Sequence, residues 1–159
     1  MTAQITEESV DALADYASVP IAFDVHTVLD VVELNEGPGE LLLRERPLSA
    51  PYEKDYDAAD GSPTSWPGRF DLTRWGLFVA RDEALPVGGA AIAFGTPDVE
   101  MLEGRDDLAV LWDLRVAPDA RGRGVGTALF EAAAEWAATR GCRQFKVETQ
   151  NVNVPACRF

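Results

Sequence analysis

The sequence feature that most constrains the fold is a glycine-rich turn at residues 121–127, set between a strand-like run and a helix-like run. The apolar residues 109–116 precede it, and residues 125–140 follow it with helical spacing. Such a turn forms an anion site, because glycines let backbone N–H groups approach a phosphate and a helix N-terminus carries partial positive charge. Arg121 and Arg123 flank the turn in a chain of formal net charge -13, so the segment predicts a ligand with phosphates.

Composition narrows the class of protein. The 159 residues suit one domain with a core, and 47% of them are hydrophobic. No apolar run reaches the roughly 18 residues of a membrane helix, so no membrane partner is expected. The N-terminal residues lack the basic and apolar regions of a signal peptide, which favours a cytoplasmic protein. Cys142 and Cys157 fit a reducing compartment and, with one histidine, cannot complete a zinc site, so no metal is expected.

The charge balance bears on partners. The 27 Asp and Glu residues outnumber the 14 Lys and Arg residues, which argues against nucleic acid. The balance favours a cationic small-molecule substrate, although solubility or a salt-rich host explains it equally well. The acidic loops at residues 53–60 and 100–107 are candidate walls for such a substrate, but a solvated surface is the simpler explanation for any single residue.

Hydrophobic spacing predicts strands first and a strand–helix–strand unit afterwards, in one α/β or α+β domain over residues 1–159. A first helix is expected at residues 6–17, with Thr6 as its N-cap. The long helix should bury one stripe, formed by Leu129, Ala133, Trp136 and Ala137. The other predicted segments are strands at 23–31, 41–46 (after a turn at 37–39), 109–116 and 145–148, a hairpin at 76–80 and 87–94, loops at 50–67 and 96–107, and a final helix from Asn153.

Two other phosphate-binding motifs compete for the glycine turn. A dinucleotide fingerprint also joins a strand to a helix, and Glu148 could act as its ribose-binding acid. Against it, Thr127 stands where a third small residue belongs, and five residues separate the end of the strand at Val116 from the first glycine. A P-loop is excluded because no Gly-Lys-Ser/Thr is present.

The Arg-x-x-Gly-x-Gly spacing of Arg121, Gly124 and Gly126 resembles the coenzyme A motif of the GNAT superfamily of N-acetyltransferases. Residues 111–118 and 147–150 look like the fourth and fifth strands of that family, and residues 153–159 look like the start of its next helix. The resemblance implies a mixed, mainly antiparallel sheet flanked by helices, with acetyl coenzyme A as co-substrate and a primary amine as acceptor. Residues 148–151, 156–159 and 50–54 are also similar to streptothricin acetyltransferases, which acetylate an amine of a cationic antibiotic.

The resemblance also implies which residues hold the cofactor. Pyrophosphate would lie on backbone amides of the turn, and pantetheine would pair with the edge of the fourth strand, which splays from its neighbour in this family. A backbone N–H near Val116 would polarise the thioester carbonyl. The cofactor-binding set is Leu114, Val116, Arg121, Gly122, Arg123, Gly124, Gly126, Thr127 and Asn153.

An amine must lose a proton before it attacks, so a carboxylate should act as general base. Asp113 is the first candidate, because a carboxylate inside an apolar strand needs a role or a partner. An ion pair with Arg115, two residues along on the same face, explains it equally well. Alternation of the strand would place Asp113 with Leu111 and opposite Trp112 and Leu114. Glu148 is the second candidate, with a solvated strand end or a substrate clamp as its alternative.

The sequence departs from the family pattern at its end. The family helix continues with a tyrosine that protonates the departing thiolate, and two further strands follow, so a C-terminally truncated domain is expected. The chain could therefore be an acyl coenzyme A-binding sensor or a catalytically impaired fragment. A nucleotide-binding fragment is a third hypothesis. A homodimer is compatible with the sequence, which does not fix the oligomeric state.

Overall fold

The computed structural model describes residues 3–35 and 39–159. These residues form two compact units, one within Met1–Ile21 and Tyr56–Val147 and one within Ala22–Asp55 and Glu148–Phe159. The strands are β1 (Gln4–Glu7), β2 (Phe23–Leu34), β3 (Glu40–Lys54), β4 (Gly76–Asp82), β5 (Leu85–Ala93), β6 (Leu108–Val116) and β7 (Gln144–Val147). The α-helices are α1 (Leu13–Ala17), α2 (Tyr56–Asp60), α3 (Val125–Thr139) and α4 (Val154–Arg158).

The first unit is built on a five-stranded sheet in the order β1-β4-β5-β6-β7. The first three pairs are antiparallel, and β6 pairs with β7 in parallel. A parallel neighbour requires a crossover connection, which α3 supplies. The expected mixed, mainly antiparallel sheet flanked by helices is confirmed.

Helix α3 covers one face of this sheet. Its predicted apolar stripe is buried, with Leu129 and Ala133 fully inaccessible. The stripe packs on Ala90, Ile92 and Ala109, residues whose small or branched side chains allow close approach of a helix to a sheet. The opposite face carries α1, whose Leu13 and Tyr16 pack on β4 and β5.

The second unit contains the antiparallel pair β2–β3 and helix α4. The N–H of Leu29 in β2 donates to the carbonyl of Asn151, and the side-chain amide of Asn151 donates back to the carbonyl of Leu29. These two hydrogen bonds connect β2 to the segment that leads into α4. The turn predicted at residues 37–39 lies mostly outside the described residues.

The helix predicted at residues 6–17 is wrong in its first half. Thr6 lies in β1 and pairs with Val79, so it is no N-cap. Ser9 instead caps a short 3-10 turn, Val10–Ala12, by accepting a hydrogen bond from the N–H of Asp11. Pairing with the edge of β4 outweighed the local helical spacing, which is a weak preference in so short a segment.

The loop predicted at residues 50–67 is also wrong in part. Strand β3 continues to Lys54 and includes Pro51, while α2 and a 3-10 helix, Pro63–Gly68, occupy the remainder. Proline is tolerated in β3 because this strand is an edge of a two-stranded sheet. The pairing of β2 with β3 shifts register between Val25 and Thr27, which interrupts the hydrogen-bond ladder. Proline, which has no N–H, is tolerated where the ladder is interrupted.

Candidate active site

The glycine turn adopts a conformation that only glycine takes without strain. Gly122 and Gly124 have φ angles of 71° and 83°, in the left-handed region. No heavy atom of residues 3–35 and 39–159 would lie within 4 Å of a Cβ atom at Gly124, so these residues leave open the space in front of the backbone. The φ angle therefore requires glycine at this position, and a ligand that approaches the backbone closely would require it as well.

Gly124 is the N-cap of α3, and no side chain in the described part of the chain caps this helix end. The first N–H groups of a helix have no intrahelical acceptor, so those of Val125, Gly126 and Thr127 are available to a ligand. No acidic residue lies in the first turn of α3, where a carboxylate would repel an anion. The helix start can therefore bind a phosphate through its N–H groups and its dipole.

Arg121 connects the turn to the end of β6. Its Nε donates to the carbonyl oxygen of Val116 over 2.9 Å. Arg123 is exposed on the turn. These two residues place positive charge near the strand end and the helix start, where it would attract an anion.

Strand β6 has an open edge next to the turn. Its pairing with β7 ends at Leu111–Val147, whereas β6 continues to Val116. The N–H of Ala117 donates to Val87 of β5, and successive N–H groups of a strand point to opposite edges. The N–H groups of Leu114 and Val116 therefore point away from β5, to an edge that no strand of the described chain's first unit pairs with. An extended ligand can add to this edge as a further strand.

A β-bulge in β6 corrects the predicted faces of the strand. Asp113 pairs with Ala91 and Leu111 pairs with Ile92, so Trp112 is the additional residue. Asp113 and Arg115 share a face, as predicted. Leu111 lies on the opposite face against α3, and Trp112 packs with the aromatic residues on the α1 side, so those two assignments were wrong. An inserted residue reverses the alternation, which hydrophobic spacing alone does not reveal.

Arg115 has no exposed side-chain surface and holds two carboxylates. Its guanidinium donates to both oxygens of Asp113 over 2.8 and 3.1 Å and to both oxygens of Asp57 over 2.9 and 3.0 Å. It also donates to the carbonyl oxygen of Val19. Burial disfavours the charged guanidinium, but the hydrogen bonds to Asp57 and Asp113 outweigh burial, and the pKa of Arg115 is raised. The ion pair kept as the alternative for Asp113 is present.

Tyr16 completes this cluster. Its hydroxyl donates to Asp113 over 2.5 Å, and the guanidinium carbon of Arg115 lies 5.0 Å from the ring centroid. Burial, followed by the negative charge of Asp113, raises the pKa of Tyr16 well above its ordinary value of 10.0. We call Tyr16, Asp57, Asp113 and Arg115 the buried polar cluster.

The raised pKa of Tyr16 predicts loss of stability at alkaline pH. An unfolded tyrosine loses its proton near pH 10.0, whereas the folded one keeps it, so the contribution is complete below that pH and declines as pH rises towards the folded pKa. We expect the free energy of unfolding to fall above about pH 10, and less steeply in Tyr16→Phe. Urea titrations at several pH values measure this. Tyr52→Phe, at an exposed position, is the control; equal slopes in wild type and Tyr16→Phe would contradict the prediction.

Gly89 positions this cluster and was missed in the sequence, as were the cluster members Tyr16 and Asp57. A Cβ atom at Gly89 would lie 2.4 Å from the ring of Tyr16, so only glycine allows that ring to approach β5. The glycine pair at residues 88 and 89 inside an apolar strand was the available signal of a close approach. Asp57 lay within a predicted acidic loop, but no spacing in the sequence indicated its contact with Arg115.

The remaining predicted site residues lie in the second unit. Glu148 is exposed and directly follows β7. Asn153 is the N-cap of α4, and its side-chain oxygen accepts a hydrogen bond from the N–H of Ala156. This hydrogen bond fixes the orientation of the Asn153 side chain at the start of α4.

The tryptophans next to the acidic loop line a cavity in the first unit. Trp66 is buried, Trp75 is half-buried, and their ring centroids lie 6.1 Å apart. The indole N–H of Trp75 donates to Thr96, and both rings border a cavity of about 250 Å³. In the second acidic loop, Glu103 pairs with Lys146 over 2.8 Å, which ties this part of the loop to β7.

Over residues 3–35 and 39–159 the structure contains no helix of the length and apolarity needed to cross a membrane. The same residues contain no group of three or more His, Cys, Asp or Glu side chains that could hold a metal ion.

Comparison with known proteins identifies the class to which this fold and site belong. The model of the acetyltransferase (GNAT) family matches residues 41–159. Streptothricin acetyltransferase of Escherichia coli is 33% identical over 152 residues, which cover 96% of this chain and 71% of the relative. The crystal structure of nourseothricin acetyltransferase superposes with a TM-score of 0.72 at 25% identity, over 99% of this chain and 79% of the other.

The crystal structure of a putative streptothricin acetyltransferase from Bacillus anthracis str. Ames in complex with acetyl coenzyme A has the same fold. Its TM-score is 0.74 at 21% identity, over 99% of this chain and 81% of that chain. The chain belongs to the GNAT family of acetyltransferases. As a member of this family it is an N-acetyltransferase.

Proposed function

We propose that this chain transfers the acetyl group of acetyl coenzyme A to a primary amine of a small cationic antibiotic of the streptothricin type. The observation that carries the proposal is the open edge of β6 directly before an uncapped, glycine-lined helix start. The open edge of β6 offers N–H donors to an extended chain of amides. The neighbouring helix start offers N–H donors to a diphosphate. Pantetheine and diphosphate follow each other in coenzyme A in the same order.

The proposed contacts follow from this order. Pantetheine would add to β6 at Leu114 and Val116, whose N–H groups point to the open edge. The diphosphate would lie on the N–H groups of the turn and of the first turn of α3. Arg121 and Arg123 would neutralise its charge, and the side chain of Asn153 would contact the cofactor as it does in the family. The residues proposed for the diphosphate are Arg121, Gly122, Arg123, Gly124, Gly126 and Thr127.

The reaction moves an acetyl group from sulfur to nitrogen. The neutral amine attacks the thioester carbon, the C–S bond breaks, and the thiolate leaves with the bonding electron pair. The base takes the proton that the amine loses and later releases it to water, and the thiolate takes up a proton from water. A backbone N–H near Val116 that the pantetheine amides do not use would stabilise the negative charge that develops on the carbonyl oxygen.

The two candidate bases, Asp113 and Glu148, differ in the hydrogen bonds that would be lost if the carboxylate took up a proton. Both oxygens of Asp113 accept hydrogen bonds from Arg115, and one also accepts from Tyr16. A proton on Asp113 would have to replace one of these bonds in a buried site. The carboxylate of Glu148 is exposed and can accept a proton without that loss. We therefore propose Glu148 as the base and retain Asp113 as the second candidate.

The proposed base is tested by substitution. We expect Glu148→Gln to lower kcat by about 100-fold or more, since general base catalysis typically contributes that factor. The Kd for acetyl coenzyme A, measured by calorimetry, should change by less than about twofold. Glu131→Gln, which alters a carboxylate exposed on α3, is the matched control. Unchanged turnover in Glu148→Gln would exclude it as the base, and Asp113→Asn would then be tested in the same way.

The proposed acceptor is tested by a panel of amines. Streptothricin and an aminoglycoside should promote release of coenzyme A thiol, whereas a neutral alcohol of similar size should not. The strongly acidic composition supports a cationic acceptor through long-range attraction. The alternative function, an acyl coenzyme A-binding sensor, predicts saturable binding without any amine-dependent thiol release.

We also propose that residues 1–159 act as one acetyltransferase domain in the cytoplasm. Support comes from the family match, which runs through residues of both compact units. A homodimer remains part of this proposal, and sedimentation at several protein concentrations tests it.

A further inference from the structure

The buried polar cluster lies next to the open edge of β6. Asp113 and Arg115 are the neighbours of Leu114 along the strand, and their side chains share one face. The edge itself is formed by the N–H groups of Leu114 and Val116. Each of residues 113–116 therefore belongs either to the open edge or to the buried polar cluster.

Among the residues that the structure describes, one neighbouring strand supports the open edge. Strand β5 pairs with β6 at Arg115 and Val116 through Gly89 and Gly88, whereas pairing with β7 has ended at Leu111. A strand held on one side can twist and bend more than one held on both. The β-bulge at Trp112 adds a local bend immediately before the edge. Additional constraints are needed if the edge is to keep one geometry.

Arg115 supplies such constraints from three parts of the first unit. Its guanidinium has five N–H donors, and the hydrogen bonds to Asp113, Asp57 and the Val19 carbonyl use them. Asp113 belongs to the same strand, Asp57 to α2, and Val19 to the segment after α1. A planar guanidinium fixes these partners in one arrangement, which a lysine ammonium cannot do.

We propose that Arg115 is a positioning residue for pantetheine. By joining β6 to α2 and to the segment after α1, it holds the N–H groups of Leu114 and Val116 in the arrangement that pairs with pantetheine amides. Pre-arranged donors bind more tightly because no ordering is required when the ligand arrives. This inference rests on the proposed function, since it assigns a residue to the pantetheine part of that site.

The experiment compares coenzyme A with its nucleotide half, which keeps the diphosphate and lacks pantetheine. Calorimetry gives the Kd of each for wild type, Arg115→Lys and Asp57→Asn. We expect Arg115→Lys to bind coenzyme A about tenfold more weakly while its affinity for the nucleotide half stays within about twofold of wild type. Asp57→Asn, at a partly exposed position, should shift the same ratio in the same direction and remain folded.

The control and the opposing outcomes separate this inference from the proposed function. Arg81→Gln removes an ion pair with Glu8 and Asp15 elsewhere in the unit and should leave both affinities unchanged. If folded variants lose affinity for both ligands equally, or for neither, Arg115 is not a positioning residue for pantetheine. If wild type binds neither ligand, the proposed function itself fails. Circular dichroism of each variant establishes that the compared samples are folded.

Discussion

Replacing Gly124 by valine is expected to weaken coenzyme A binding by at least about 100-fold, equivalent to about 2.7 kcal/mol. Gly124 has a φ angle of 83° at the N-cap of α3, and its missing Cβ faces open space. In the proposed complex the diphosphate occupies that space, so a branched side chain would keep it away from the N–H groups of the helix start. Calorimetry with coenzyme A measures the loss directly.

Strain in the substituted backbone must be separated from obstruction of the ligand. A non-glycine residue in the left-handed region costs roughly 1–2 kcal/mol of stability wherever it occurs. Gly141, directly after the C-terminus of α3, has a φ angle of 81° and equally open surroundings. Gly141→Val should therefore lower the free energy of unfolding in urea by a similar amount to Gly124→Val but bind coenzyme A with the wild-type affinity. Equal binding by the two variants would remove the turn from the cofactor site.

Replacing Arg115 by methionine should cause the largest loss of stability among the substitutions considered. The carboxylates of Asp113 and Asp57 would remain close together without their shared cation, and the Asp113 side chain is only 10% exposed. Removing one partner of a buried ion pair typically costs about 3–5 kcal/mol, because a charge is left without compensation. Urea unfolding monitored by tryptophan fluorescence measures the change.

The matched control is Arg81→Met, which removes another arginine with two carboxylate partners. Arg81 and its partners Glu8 and Asp15 retain substantial solvent exposure, so the expected cost is only about 0–1 kcal/mol. A similarly small loss for Arg115→Met would contradict the prediction that the two carboxylates depend on their shared cation.

The sequence predicted those parts of the fold that depend on local pattern. Helix α3 begins at Val125 and buries the predicted stripe, because a 3.6-residue period specifies both the helix and its inward face. The hairpin of β4 and β5 was also confirmed, since its strands are apolar runs separated by a polar turn. The resemblance in residues 109–159 supplied the family, which the comparisons confirmed.

Predictions failed where a distant segment decided the local structure. Thr6 became part of β1 because β4 offered an unpaired edge, and this partner lies more than 70 residues away. The faces of Leu111 and Trp112 were wrong because a β-bulge has no signature in hydrophobic spacing. The contact of Asp57 with Arg115 joins residues from separate elements, and an acidic loop residue carries no sign of its partner.

The sequence by itself determined the glycine turn, the helix that follows it and the charge placed around both, because each depends on residues adjacent in the chain. The tertiary structure decided that β6 leaves β7 at Leu111 and that Arg115 is enclosed by two carboxylates and Tyr16. Those arrangements require strands and helices far apart in the chain to meet. Their geometry is set by packing and by the need of a buried charge for partners, and no local pattern encodes either.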